Sequence, residues 1–388
     1  MRNFDPYEVS YFATTNFRNV KNVFGIKQKD RYFHFYCMGK SGAGKTTLLL
    51  TLAKEDIHAG RSMTFLDVHG DAALELTEHI KHKYPHKDFV YFDATNPELT
   101  IGYNPLRSVS KHKRSLVVSN ILEIFQRNWK SAWGMKIEHI LRMCLMTLLE
   151  QPRADLSDLL KLLHHADFRE RCLENVQDEA LRLFWEKEFK SYKQNDLLPI
   201  LNKVGALLSH TAIKRILVDN QNRISLRQLM DNNGILIVNL AKGSIGSDAS
   251  NILGGLLLTS IASSAFSRID TPEPDRVPHF LYIDEFQVLS GNDLIGELLA
   301  QSRKFKLALI LSNQFLHQLS TEVRSAVLGN VGTIVTFRLG IQDARLMEKE
   351  FYPMFEASDF TSLSNYSIYL KLMIDGKPSK PFSADTLM

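Results

Sequence analysis

The sequence predicts an α/β fold: a core with a mostly parallel sheet, interrupted by an all-helical insertion domain. Three observations carry this expectation. Short apolar runs alternate with amphipathic helical stretches in the first and last thirds of the chain, as expected of strands covered on both faces. The middle third loses its strand signals and repeats apolar residues three and four apart. A glycine-rich octapeptide, Gly39 to Thr46, joins the first apolar run to a helix.

Taken in order, Arg31 to Met38 reads as a strand and Thr46 to Lys54 as a helix. Between them, Gly39-Lys40-Ser41-Gly42-Ala43-Gly44-Lys45-Thr46 fits G-x-x-x-x-G-K-[ST] at every fixed position. The strand–loop–helix context separates a phosphate-binding loop from a chance match. Glycines let backbone N–H groups turn inward around a polyphosphate, with the positive end of the helix dipole behind them. Lys45 is placed to reach the β- and γ-phosphates and the Thr46 hydroxyl to hold Mg²⁺. Nucleotide contacts are expected from Gly39, Lys40, Ser41, Gly42, Ala43, Gly44, Lys45, Thr46 and Thr47.

Ser62 to Val68 is an apolar strand, His69-Gly70-Asp71 turns into a helix reaching about Lys83, and Phe89 to Asp93 is another strand. From Ser108 to Leu229 the period becomes helical, as in Leu141, Leu145, Leu148 and Leu149, with helix breaks expected at Gly134, Pro152 and Pro199. Alternation then resumes with strands at Ile235 to Leu240, Phe280 to Ile283, Leu307 to Leu311 and Thr333 to Phe337. Tyr366 to Ile374 follows, closed by an Asp375-Gly376 turn. The expected division is 1–107 for the first part of the core, 108–229 for the insertion and 230–388 for the rest.

Phe280-Leu281-Tyr282-Ile283-Asp284-Glu285 is an apolar strand ending in two carboxylates, where open sheets place ligands. Asp284 is expected in the Mg²⁺ shell, with Glu285 taking a proton from an attacking water or orienting it. The next strand ends in Ser312-Asn313-Gln314, whose amides can sense the γ-phosphate, position water or cap a helix. Arg303 and Arg338 flank neighbouring strands. Each is a candidate to stabilise transition-state charge in an adjacent subunit, or is an ordinary surface arginine. Asn202-Lys203-Val204-Gly205 lacks the acid needed to read guanine, so the expected nucleotide is ATP.

The 388 residues, 44% hydrophobic and 23% charged, suit a soluble globular chain with one large core and a satellite. Three dispersed cysteines form no disulfide or metal framework and fit a reducing cytoplasm. Ala249 to Ser267 carries no charge over roughly a bilayer's length. Its glycines and serines read instead as tight packing against a sheet, with no integral membrane segment. A net charge of +4 permits a polyanion partner without demanding one.

These elements together resemble the RecA-like ATPases of the HerA/FtsK group, and within it the TraG/TraD-type coupling proteins of type IV secretion and conjugation. The resemblance runs from about Tyr11 to Phe382. It rests on Phe12 to Arg18, Phe24-Gly25-Ile26-Lys27, the phosphate loop, Asp67-Val68-His69-Gly70-Asp71 and Tyr103-Asn104-Pro105-Leu106. Tyr282 to Gln287, Arg303-Lys304-Phe305, Gly329 to Thr333 and Phe337 to Gly340 complete it. It implies a RecA-like P-loop core and a ring, usually a hexamer, with ATP at subunit interfaces and DNA in the central channel. It also implies an all-alpha domain facing secretion-pore or relaxosome proteins. By position, Lys45 and Thr46 match the family's Walker A residues, Asp284 and Glu285 its Walker B pair, Gln314 its sensor and Arg303 its finger-like arginine. Family members commonly carry an N-terminal membrane anchor, whereas this sequence begins almost at the core. A cytoplasmic motor is expected, including one held peripherally at the inner face of the membrane by a separate anchor. The alternatives are a viral-type genome-packaging or DNA-end-processing ATPase, and a protein-export ATPase indifferent to DNA.

Overall fold

The computed structural model describes residues 5–107, 109–219, 224–289 and 292–387. Ser108, where the helical insertion is expected to begin, lies outside them. The strands are β1 (Val9–Thr15), β2 (Val23–Lys27), β3 (Phe35–Met38), β4 (Ser62–Asp67), β5 (Val90–Asp93), β6 (Ile235–Asn239) and β7 (His279–Ile283). They continue with β8 (Leu307–Asn313), β9 (Thr333–Thr336), β10 (Ser367–Lys371), β11 (Met373–Ile374), β12 (Lys377–Pro378) and β13 (Phe382–Thr386). Eleven of them form one sheet in the order β2-β1-β13-β10-β9-β3-β8-β7-β4-β6-β5. From β9 to β5 every pairing is parallel, and from β2 to β9 every pairing is antiparallel. The sheet is therefore mostly parallel, with an antiparallel flank.

The expected strand from Arg31 is shorter, because Gln28–Arg31 forms a turn of helix, α1, before β3 begins at Phe35. The flank strands β1, β2 and β13 carry no continuous apolar run. They are only partly buried, and β2 buries Ile26 alone. At Gly25 an added Cβ would fall 2.0 Å from the Ser10 carbonyl oxygen, so the close approach of β2 to β1 requires glycine. The Asp375-Gly376 turn is as expected. Both residues have positive φ, at 52° and 77°, in a two-residue loop between β11 and β12.

Helix α2 (Lys45–Ala59) buries Leu48, Leu49, Leu52 and Ala53 in a core shared with Phe35, Phe65, Tyr282 and Ile310. Each leucine so buried contributes roughly 1.5–3 kcal/mol. Helix α3 (Asp71–Lys83) adds Ala72, Ala73, Leu76 and Ile80 to the same core.

Contacts divide the chain into two compact units. One comprises Met1–Asp93, Ser225–Ala241 and Ile261–Met388 and contains all thirteen strands above. The other comprises Ala94–Ile224 and Lys242–Ser260 and is helical. The helical unit includes α4 (Arg114–Asn128) and α5 (Met135–Leu149), with Trp185 Nε1 donating to Thr147 Oγ1 at 2.8 Å. Pro199, expected to break a helix, lies inside the helix Gln194–Ser209. Burial of Ile200, Val204, Leu207 and Leu208 along one face holds that helix through the N–H that proline lacks. The apolar segment expected to pack on a sheet forms the helix Ser247–Phe266. At Gly255 its nearest neighbour is instead the Ile124 side chain of α4, 3.2 Å from where a Cβ would stand. Extended to Asp270, it is long and apolar enough to cross a bilayer, but 67% of its apolar window is buried in protein.

Candidate active site

The parallel order brings the C-terminal ends of β3, β7 and β8 side by side, with Met38 opposite Asn313 and Ile283 opposite Leu311. The loop Gly39–Gly44 leaves β3 there and enters α2. No side chain caps α2, whose N-cap is Gly44 at φ 119°, so its first N–H groups stay available to an anion. Glycine is required at that position twice over. The left-handed backbone disfavours other residues, and an added Cβ would fall 2.9 Å from Tyr366 Cδ1 and 3.0 Å from Phe337 Cε1. The loop is buttressed from the flank: Lys40 N–H donates to the Arg338 carbonyl at 2.9 Å, and Tyr366 N–H donates to the Ala43 carbonyl at 2.9 Å.

Lys45 is 6% exposed, and its ammonium donates to the carbonyls of Gly39 at 2.8 Å and Lys40 at 3.3 Å. It thus lies within the curl of the loop. Thr46 Oγ1 donates to Asp284 Oδ2 at 2.7 Å, joining the first turn of α2 to the end of β7. The other Asp284 oxygen accepts from the Ser312 hydroxyl and, at 3.1 Å, from the Glu285 N–H. Glu285 follows with a left-handed backbone, φ 53° and ψ 50°, and accepts from Gln287 Nε2 at 2.6 Å. Both acids are buried, at 3% and 6% exposure. Cys37, in β3 beneath the loop, has its thiol pushed up by burial and by Asp284, so it stays protonated.

Thr46 and Asp284 offer two hard oxygen donors to a cation. Among the described residues no cluster of three or more His, Cys, Asp or Glu could hold a metal by itself. That donor set fits Mg²⁺, which takes few protein ligands and fills its shell with phosphate oxygens and water.

The remaining candidates are placed less centrally. Gln314 stands one residue beyond β8, half-buried, on the same sheet edge as Asp284. Asn313 is occupied in the strand, accepting from the Tyr36 hydroxyl at 2.5 Å and donating to the Phe315 carbonyl at 2.8 Å. Arg338 lies beside the phosphate loop of its own chain, where Nη1 donates to the Leu363 carbonyl at 3.4 Å. Arg303 precedes β8, at the opposite sheet edge, and its guanidinium lies 3.8 Å from the centre of the Phe33 ring. Ser312, Gln287, Phe337 and Tyr366 did not emerge as site residues from sequence. Ser312 carried a signal as the first polar residue after an apolar strand, and Gln287 and Phe337 lie in stretches that carry the family resemblance.

Among curated proteins, none matches the chain in sequence. Solved structures share its fold. A bacterial conjugative coupling protein, TrwBdeltaN70, is 16% identical with a TM-score of 0.69, covering 100% of this chain and 89% of its own. The plasmid coupling protein TrwB in complex with ADP and Mg²⁺ is 16% identical with a TM-score of 0.68, covering 100% and 96%. VirB4 of Thermoanaerobacter pseudethanolicus is 13% identical with a TM-score of 0.67, covering 100% and 97%. At such identities the likeness establishes the RecA-like core with its helical insertion and no more. In sequence, residues 23–350 match the type IV secretion-system coupling protein DNA-binding domain, and the chain belongs to that family.

Proposed function

We propose that the chain is a Mg²⁺-dependent ATPase that drives DNA through a homo-oligomeric, six-membered ring, in the service of conjugation or type IV secretion. The observation that carries the reading is the 2.7 Å contact of Thr46 with Asp284 at the uncapped start of α2, with Glu285 next in the chain. A site for a metal-bound polyphosphate uses an open helix N-terminus, a buried lysine and a hydroxyl–carboxylate pair together. The ADP and Mg²⁺ named with TrwB support the choice of ligands.

Residues Gly39 to Thr47 cradle the phosphates. Lys45 exchanges its loop carbonyls for β- and γ-phosphate oxygens. Thr46 and Asp284 would hold Mg²⁺, which would supply positive charge against the phosphates. Glu285 orients the attacking water and takes its proton, and Gln314 senses the γ-phosphate. Arg303 acts on a neighbouring subunit's nucleotide, and Arg338 remains on its own chain's loop. Residues 108–229 are the domain that meets secretion-pore or relaxosome proteins, and the chain works on the cytoplasmic side of the membrane.

The test is the ATPase rate with and without DNA, paired with the mass of the oligomer. Stimulation by DNA in a hexamer supports the reading. Activity indifferent to DNA would overturn the translocase and favour a protein-export ATPase.

A further inference from the structure

Asp56 is wholly buried in the last turn of α2 and collects four donors. Arg31 grips it with both terminal nitrogens, Nη1 to Oδ1 at 2.5 Å and Nη2 to Oδ2 at 2.8 Å. Arg61 Nη1 donates to Oδ1 at 2.9 Å, and the Tyr282 hydroxyl donates to Oδ2 at 2.5 Å. Arg31 also donates to the Tyr282 oxygen at 2.7 Å and lies 3.7 Å from the centre of the Phe280 ring. Burial works against the Arg31 charge, yet Asp56 and Tyr282 hold it more firmly protonated than a free arginine. Burial pushes the Tyr282 phenol well above its ordinary range, so it donates as a neutral hydroxyl.

A buried ion pair is weak evidence of stabilisation, because apolar residues of the same shape often do as well. The value of this one lies in its position. Tyr282 and Asp284 are two apart on and just past β7, so they lie on the same face of it. Both bind α2. Asp284 takes the Thr46 hydroxyl in the first turn, and Tyr282 takes Asp56 in the last. These attachments are ten residues apart, about 15 Å along the helix. The helix that carries the phosphate loop is therefore fastened at both ends to the strand that carries the acidic pair.

We propose that Asp56, Arg31 and Tyr282 form a rear anchor that fixes α2 along β7 and thereby sets the spacing of Thr46 and Asp284 for the metal. They are positioning residues, and the inference rests on reading the site as one for Mg²⁺ and nucleotide. Removing the Tyr282 hydroxyl leaves Asp56 with its two arginines and takes away its direct hydrogen bond to β7. The phosphate loop itself is untouched, so phosphate contacts persist while the metal contacts lose their register.

The experiment is titration of a fluorescent ATP analogue in EDTA and in Mg²⁺. Tyr282→Phe should match wild type in EDTA, and the gain in affinity on adding Mg²⁺ should shrink by about tenfold, the scale of lost outer-shell partners in metal sites. Arg31→Lys keeps the charge but not the fork, and should show the same selective loss. Tyr103→Phe removes a buried hydroxyl that donates to the Leu256 carbonyl at 3.0 Å in the helical unit, and should change neither titration. A full Mg²⁺ gain in either anchor variant, or an equal fall in EDTA and in Mg²⁺, overturns the anchor. If wild type itself gains nothing from Mg²⁺, the site reading fails, and the anchor with it.

Discussion

Glu285 holds a backbone conformation that costs a non-glycine residue on the order of 1–3 kcal/mol, and its carboxylate is tied to Gln287. Such local strain at the end of a buried strand belongs with a residue whose position matters more than its comfort. Glu285→Gln should bind ATP normally and turn over roughly a hundredfold or more slowly, as expected when a positioned base is lost. Wild-type turnover would assign the water to another group. Lys45→Ala removes the buried ammonium inside the loop. Two lost charge-assisted hydrogen bonds should weaken ATP binding by on the order of a hundredfold or more, measurable by the same nucleotide titration. The buried histidines predict a pH dependence. Burial lowers His34 to about 4 and His279 to about 3. His34 Nδ1 accepts from the Leu309 N–H at 3.2 Å, which a protonated ring cannot do. Folded imidazoles stay neutral where unfolded ones take up protons, so stability is full above about pH 6.5 and is lost as pH falls. The slope approaches ~1.4 kcal/mol per pH unit for each histidine, ending near pH 4 for His34 and pH 3 for His279. Urea midpoints between pH 7 and pH 5 measure it, and a flat profile would refute neutral burial. At this scale the sequence exposed residues whose type conflicts with their setting, such as two acids ending an apolar strand. It hid Asp56, because a charged residue near a helix end reads as solvated until the strand that covers it is known, and Arg31, which read as the first residue of a strand.

At the scale of elements, legibility followed burial. Strands β3, β4, β6, β7 and β8 are buried at every residue and announced themselves as continuous apolar runs. The flank strands alternate imperfectly, and β1 even shifts register between Tyr11 and Ala13, so no period marks them. Yet the flank reaches the site, since Tyr366 and Phe337 close over Gly44. This gives the element-scale prediction. Gly44→Ala places a Cβ against both rings at a left-handed backbone position, and loop and flank must part. Nucleotide affinity should fall at least tenfold, and the variant should melt several degrees lower. At Gly42, also left-handed at φ 73°, nothing lies within 4 Å of an added Cβ. Gly42→Ala should therefore carry backbone strain alone and lose less affinity. Equal losses in the two variants would show that ring packing on the loop does not matter.

At the scale of the whole molecule, the two candidate arginines part company. Strand β8 runs from the edge that holds Arg303 to the edge that holds Ser312 and Asp284, and its seven residues span about 20 Å. An arginine side chain cannot cover that distance, so Arg303 cannot serve the phosphate loop of its own chain. If it serves catalysis at all, it does so in a neighbour, which ties activity to assembly. The family resemblance suggested the residue but could not measure the separation, because the sheet order that fixes it is non-local. Its guanidinium packs on Phe33, so the arginine is also held in a defined place on that face. The test mixes two inactive proteins, Lys45→Ala and Arg303→Ala. Some mixed interfaces then pair an intact loop from the second protein with an intact arginine from the first. A trans arginine can be worth roughly a thousandfold or more in rate, so even a minority of restored interfaces should be visible above either parent. Recovery of ATPase on mixing is the expected result. If the two proteins co-assemble, as mass measurement would establish, and activity stays absent, Arg303 is a surface residue stacked on Phe33. Arg338, already beside the loop, then becomes the arginine to test.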